Sequence, residues 1–426
     1  MLSGLDLSTA SGAPSIPQCP PEDQAVSQFF EKYVMYPCNN QSSPGFLEHL
    51  PVLFYEARIE GRLALRWAVR AAAYASLAGD QSSSGLGAKA LKCYGLALSA
   101  LGDALRTSTA RPDGQVLMTV VVLDIFETVY LQKSARSGSH AEGMALVLRL
   151  RGQDQIYGPR GWSLFRLAHH RLQKQQLTFK LGPMPETDAW FDSLDEKLPY
   201  VHAEKDNHQI IKVCAKAREL LNSICDADLE AGEMLCLVRE MHDLDRAATE
   251  WRQGPAWAYK TVRLSDTSSH GGSSGSIPGF IQLHPDVWVA YEWNYHRTAR
   301  VIMHEQLLDC LNRFDELSAE ASKDLLASVQ ALKDMSVAII KDLVDEVLST
   351  VPQSLGEVDH EGNPLNPRKS IELCQGVGGY LLLWPIKIMK ETRSADAKQR
   401  AAAQAVFEHI RECTRMKDVL GEISNI

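Results

Sequence analysis

The chain has 426 residues, 45% hydrophobic and 23% charged, which is the balance of an ordinary soluble globular protein and excludes a fibrous or wholly disordered chain. Its 44 lysines and arginines stand against 53 aspartates and glutamates, leaving a formal charge of −9. Phosphate backbones are then repelled unless basic residues concentrate locally, and the densest stretch, Arg160–Lys174, spreads its arginines over more than one helical face.

Residues 1–21 are rich in Ser, Pro and Gly and lack a basic start followed by an apolar run, so they read as a disordered lead and not as a secretory signal. From residue 22 to 426 the chain reads as one helical domain. Glu22–Tyr36 is a short amphipathic helix stopped by Pro37, and Phe54–Leu77 is a long one, followed by a Gly/Ser hinge at Gly79–Gly87. Ala88–Thr107, Gln115–Gln132, His140–Arg151 and Arg160–Lys180 follow, separated by Gly/Pro turns. Asp188–Lys197, Lys205–Ile224 and Asp228–Arg252 continue the pattern. In the last, Met234, Val238, Met241, Leu244, Ala248 and Trp251 recur at intervals of three and four, the mark of one buried face.

Residues 265–285 shift to Ser, Gly and His and read as an exposed flexible loop. Asp286–Phe314, Ala319–Leu348, Arg368–Lys390 and Ala395–Val419 close the chain as helices. The expectation is an all-α array of about a dozen helices, an irregular bundle or solenoid-like stack without a fixed repeat. The most apolar segments, around Val116–Tyr130 and Val377–Ile388, fall short of the roughly 18 residues a membrane span needs.

Nine cysteines are scattered with no C-x2-C pair and no zinc-ligand spacing, which fits free thiols in a reducing, intracellular compartment. No metal and no cofactor are expected. His304-Glu305 lacks the second histidine of a zincin, because position 308 is Leu. His169 and His170 point about 100° apart on a helix and read as one core and one surface residue. Asp124 and Glu127, in an apolar helix, are expected to pair with an arginine such as Arg66 or Arg70. Gly376-x-Gly-Gly follows no strand and has no phosphate-cradling form.

Five segments, taken in order, carry a resemblance. They are Pro21–Phe30, His140–Gly152 with the Gly-Pro-Arg-Gly turn beyond it, Gly254–Lys260, Asp286–Glu305 and Gly378–Pro385. Together they resemble the fungal-specific transcription factor domain, the regulatory region of fungal zinc-cluster regulators, over roughly residues 22 to 420. The resemblance implies a regulator of fungal genes, often of secondary metabolism. The six-cysteine zinc cluster and basic coiled coil of that family have no counterpart in this sequence, so direct promoter binding is not expected.

The helix Asp286–Glu305 concentrates the candidate chemistry. Asn294, Arg297 and His304 lie close to one face, with Trp293 on the neighbouring stripe. One reading makes them the polar wall of a pocket, where Arg297 holds a carboxylate or enolate oxygen and His304 moves a proton. The other makes them internal hydrogen-bonding groups that tie helices together. Tyr291, Trp251, Tyr380 and Trp384 are candidate aromatic walls for a polyketide or alkaloid ligand.

Two functions follow from these residues. The first is a transcription-factor-like regulator without its own DNA-binding module, acting in the nucleus on a hydrophobic small molecule or a partner protein. The second is a cofactor-free cyclase, isomerase or pericyclase on a hydrophobic fungal metabolite, in the cytoplasm, with His304 and Arg297 as its catalytic candidates. A homodimer is compatible with either, and neither calls for a membrane.

Overall fold

The computed structural model describes residues 21–36, 45–81, 84–107, 111–130, 139–158, 160–192, 194, 199–222, 227–263, 278–317, 322–366 and 376–414. The fold is all-α. In chain order the helices are α1 (Pro21–Tyr33), α2 (Leu50–Ile59), α3 (Leu63–Gln81), α4 (Ser84–Thr107), α5 (Gly114–Tyr130), α6 (Ser139–Arg151), α7 (Gly161–Thr178) and α8 (Glu186–Asp192). There follow α9 (Pro199–Asn222), α10 (Ala227–Ala247), α11 (Thr249–Arg252), α12 (Val287–Leu317), α13 (Lys323–Ser349), α14 (Val351–Ser354), α15 (Val377–Glu391) and α16 (Ala397–Thr414). Between α11 and α12 lie two short antiparallel strands, β1 (Lys260–Arg263) and β2 (Phe280–Leu283), with Lys260 opposite Leu283.

Local chemistry sets several boundaries. Pro21 opens α1, where its missing N–H is not needed, so the helix begins at the end of the expected lead; residues 1–20 of that lead lie outside the described residues. The single helix expected over Phe54–Leu77 is two helices. Gly61 takes φ +70°, a left-handed conformation open to glycine, and Arg62 N donates to Ala57 O at 2.9 Å, which terminates α2. The Gly/Ser hinge is shorter than expected, because α3 runs to Gln81 and α4 starts at Ser84. Ser322, whose hydroxyl accepts from Leu325 N, caps α13 three residues beyond the expected start.

Part of the expected loop is also ordered differently. Phe280–Leu283 is strand because Ile281 and Leu283 pack with Val358 and Val262 in a small apolar cluster of their own. Residues 264–277 of that loop lie outside the described residues. No helix among the described residues is long and apolar enough to cross a membrane.

In the N-terminal half, α3 packs on α4, α5 and α1, and its alanines Ala68, Ala71, Ala72 and Ala73 let the helices approach closely. In the C-terminal half, α12 lies against α9, α10, α13 and α15. Two helices are buried on nearly every side. They are α7, packed on α5, α6 and α9, and α12, which buries every residue from Trp288 to Ala299. Helices of this kind show no polar stripe, so their charged residues must find partners inside the protein.

Candidate functional site

The inner face of α12 meets α7 in a network of buried charges. Arg166 donates from Nε to Glu204 at 2.9 Å and from Nη2 to Glu292 at 2.7 Å. His170 Nε2 sits against Glu204, and His169 Nδ1 is 3.6 Å from the same carboxylate. Burial alone would push the Glu204 carboxyl up, but the His170 and Arg166 charges beside it hold it well below the usual range. One turn on, Arg171 grips Asp124 and donates to the Tyr380 hydroxyl, and Gln175 donates to Asp124 at 2.8 Å. Lys174 lies over the Tyr380 and Trp384 rings, its ammonium pushed down to about 7 by burial and then by Arg171.

One expectation is corrected here and another is given its partner. His169 and His170 are both core residues, exposed 1% and 4%, because α7 has no surface face on which to place either. Asp124 pairs with an arginine as expected, but with Arg171, while Arg70 reaches Glu22 at 2.8 Å. Glu127 accepts from the Tyr94 hydroxyl.

Donor atoms of His170, Glu204 and Glu292 lie within 4.8 Å of one another, a spacing three ligands of one cation could have. The guanidinium of Arg166 already bridges both carboxylates, so a cation would have to displace it. Beside this network, residues 45–49 with α5, α7, α12 and α15 enclose a cavity of about 20 Å³, room for about one water. Leu47, which lines it, has φ 54°.

The outer face of α12 is different. Arg297 is wholly buried and donates to Glu346 at 2.8 Å, to Gln282 at 2.6 Å and to Asn294 at 3.2 Å. Its guanidinium lies 4.9 Å from the Trp293 ring and 5.6 Å from that of Tyr259. Asn294 in turn donates to the Thr350 hydroxyl at 2.7 Å. His304 Nε2 lies 3.7 Å from Asp245, which Arg300 holds through two donors at 2.5 and 3.1 Å. Burial raises the Asp245 carboxyl, but His304 and Arg300 more than reverse this. Outside this layer opens a cleft of about 470 Å³, lined by Trp257, Tyr259, Trp293, Arg252, Arg300 and Glu346 among others. Trp251 packs edge-on against Trp257, with ring centroids 5.0 Å apart.

The eight sequence candidates therefore fall into two groups on opposite sides of α12. Asn294, Arg297, His304, Trp293 and Trp251 lie on the outer side, and Tyr291, Tyr380 and Trp384 on the inner side. Of these, Trp293 lines the cleft, while Tyr291 and Tyr380 line the small cavity. Sequence reasoning missed Arg166, Glu204, Glu292 and Arg252. A run such as Arg166-Leu-Ala-His-His-Arg-Leu-Gln-Lys174, polar on all sides yet long enough for five turns with its flanks, was the available signal for a helix whose charges are met internally.

Next to the cleft, Asp206 lies 3.4 Å from His296 and faces Arg252, Asp245 and Arg300. Burial pushes its carboxyl up to about 7, with Arg252 opposing and Asp245 assisting. The folded protein thus keeps this proton to a higher pH than the unfolded chain, and stability falls as pH rises from about 4 through about 7. Asp206→Asn is expected to stabilise the fold by about 2 kcal/mol at about pH 8 and by almost nothing at about pH 3.5, below both the unfolded and the folded value. Urea denaturation at both values checks this, and equal gains would assign the effect to something other than the proton.

The sequence is 24% identical over 386 residues to Transcription factor dbaG of Emericella nidulans, spanning 87% of this chain and 83% of that protein. No family model matches the chain, and no solved structure matches it.

Proposed function

We propose that this chain is a regulator of transcription of the fungal type, controlled by a hydrophobic small molecule bound in the cleft beside Trp293. The observation that carries the regulatory part is the likeness to a transcription factor along almost the whole chain, not in one segment. Support for the ligand part comes from the cleft itself: a volume of about 470 Å³ and three aromatic walls suit a small molecule. A role exercised through a partner protein, without direct contact with DNA, is supported by the formal charge of −9. On the sequence motifs, the genes concerned are those of secondary metabolism, and the site of action is the nucleus.

The test tethers the full chain to a heterologous DNA-binding module in a fungal host and reads a reporter, alongside transcript profiles of a deletion strain. A severalfold change in the reporter and loss of a defined gene set are expected. An unchanged reporter together with unchanged transcripts removes the proposal. Conversion of a pathway intermediate by the purified chain, seen by mass spectrometry, would replace it with the cofactor-free enzyme.

A further inference from the structure

Helix α4 packs on α3 and, over a smaller area, on α5, and its outer side is exposed. The residues it buries most fully, Ala90, Cys93 and Ala97, are small, while three of its large ones face outward. Leu91, Leu98 and Leu105 are 54%, 40% and 37% exposed. One exposed leucine needs no explanation, but these three recur every seven residues and so share one stripe of the helix.

Two glycines lie on the same stripe. Gly95 and Gly102 each follow one of these leucines by four residues and precede the next by three. That is the seam spacing of a coiled coil, kept from Leu91 to Leu105 over about 21 Å of helix. Glycine weakens a helix interior, so its presence twice on one stripe calls for a close neighbour. The described residues supply none: a Cβ at Gly95 would meet nothing within 4 Å, and one at Gly102 only the Arg106 side chain of the same helix. The leucines lack a cover, and nothing in the chain's own packing requires the glycines.

We propose that this stripe is the contact of a homodimer, in which the α4 helices of two copies pack antiparallel across a two-fold axis. The spacing is complementary to itself, as an interface of this symmetry requires. Run antiparallel, Leu98 of each copy enters the notch at the partner's Gly95, and in the same register Leu91 enters the notch at the partner's Gly102. The flanks agree in charge. This register brings Lys92, which is exposed, beside the partner's exposed Asp103, and the two-fold axis repeats the pair. A different protein would have to reproduce both notches and both charges, whereas a second copy carries them already. A helix pair of this length buries on the order of 1,000 Å², the lower end of specific interfaces, so a reversible dimer with a Kd of about 10 μM is expected.

Sedimentation equilibrium of the full chain from about 1 to about 100 μM, a range spanning that Kd, tests this. Leu98→Glu, at an exposed position, brings like charges together near the axis; it should weaken the dimer at least about 100-fold and leave the thermal midpoint of a dilute sample unchanged. Gly95→Ala fills a notch and should weaken the dimer about tenfold while the midpoint of the dilute chain holds or rises, a pattern that a role confined to the monomer would not produce. Lys92→Asp should weaken the dimer about fivefold, and adding Asp103→Lys should restore it. A chain that stays monomeric throughout this range, even one that binds another protein through α4, would overturn the proposal. So would a dimer that Leu98→Glu or Gly95→Ala leaves intact, and failure of the charge exchange to restore affinity would overturn the antiparallel register.

Discussion

Arg166→Ala is expected to cost the fold about 3–5 kcal/mol, the range for removing one partner of a buried ion pair. The arginine is 2% exposed and bridges Glu204 and Glu292, so its loss leaves two buried carboxylates facing each other with the His170 ring beside them. Lost packing adds to this, because the guanidinium also lies 4.8 Å from the Tyr200 ring. Replacing the whole set, Arg166→Met with Glu204→Gln and Glu292→Gln, should recover most of the loss, since no uncompensated charge then remains.

Acid should narrow the gap between wild type and Arg166→Ala. The Glu204 carboxyl is depressed in the folded state, so its contribution is present above the unfolded carboxyl value of 4.5 and is lost as pH falls through the folded value. Urea denaturation of the three proteins at neutral pH and at pH values below 4.5 measures this. A triple variant no more stable than Arg166→Ala would show that shape, and not charge, dominates at this position.

Gly161→Ala should be nearly as damaging, by about 3 kcal/mol. Helix propensity alone would favour alanine by about 1 kcal/mol at this first residue of α7. An added Cβ, however, would fall inside the envelope of the Gln155 carbonyl oxygen and lie 2.9 Å from its carbonyl carbon. Both are backbone atoms and cannot rotate away. Relief therefore requires moving either the short 3-10 turn at Gln153–Tyr157 or the start of α7, which carries Arg166. Gly143→Ala on α6 is the control, because a Cβ there meets nothing within 4 Å, and it should be neutral or slightly stabilising. Thermal unfolding of the two variants side by side decides the matter, and similar midpoints would refute the close-approach argument.

Much of the helical architecture could be read from the chain. A helix such as α10 announces itself by one apolar stripe, and Met234, Val238 and Met241 are indeed buried along it. Gly61 was harder, because a single glycine inside a strong helical pattern does not reveal a left-handed φ. The interior of α7 was illegible for a different reason. Its partners come from positions 38 and 126 residues away, and nothing local distinguishes a buried arginine from an exposed one. Along α12, spacing placed Asn294, Arg297 and His304 on one side. Their roles depend on Glu346, Gln282 and Asp245, which only the tertiary fold brings to them.

The burial of α7 against α12 and α15 has a consequence for how the protein is made. The contact between Arg166 and Glu292 spans 126 residues, and that between Arg171 and Tyr380 spans 209. A chain leaving the ribosome therefore exposes the arginines, histidines and aromatic rings of α7 for up to about half of its synthesis, until the helices that neutralise and cover them have emerged. Closure of this core comes late and over long loops, which slows folding and favours self-association of nascent chains in the meantime. A message truncated before α15 would yield a product lacking the Tyr380 and Trp384 cover, with Arg171 and Lys174 exposed to water, and such a product is destined for proteolysis rather than for partial function.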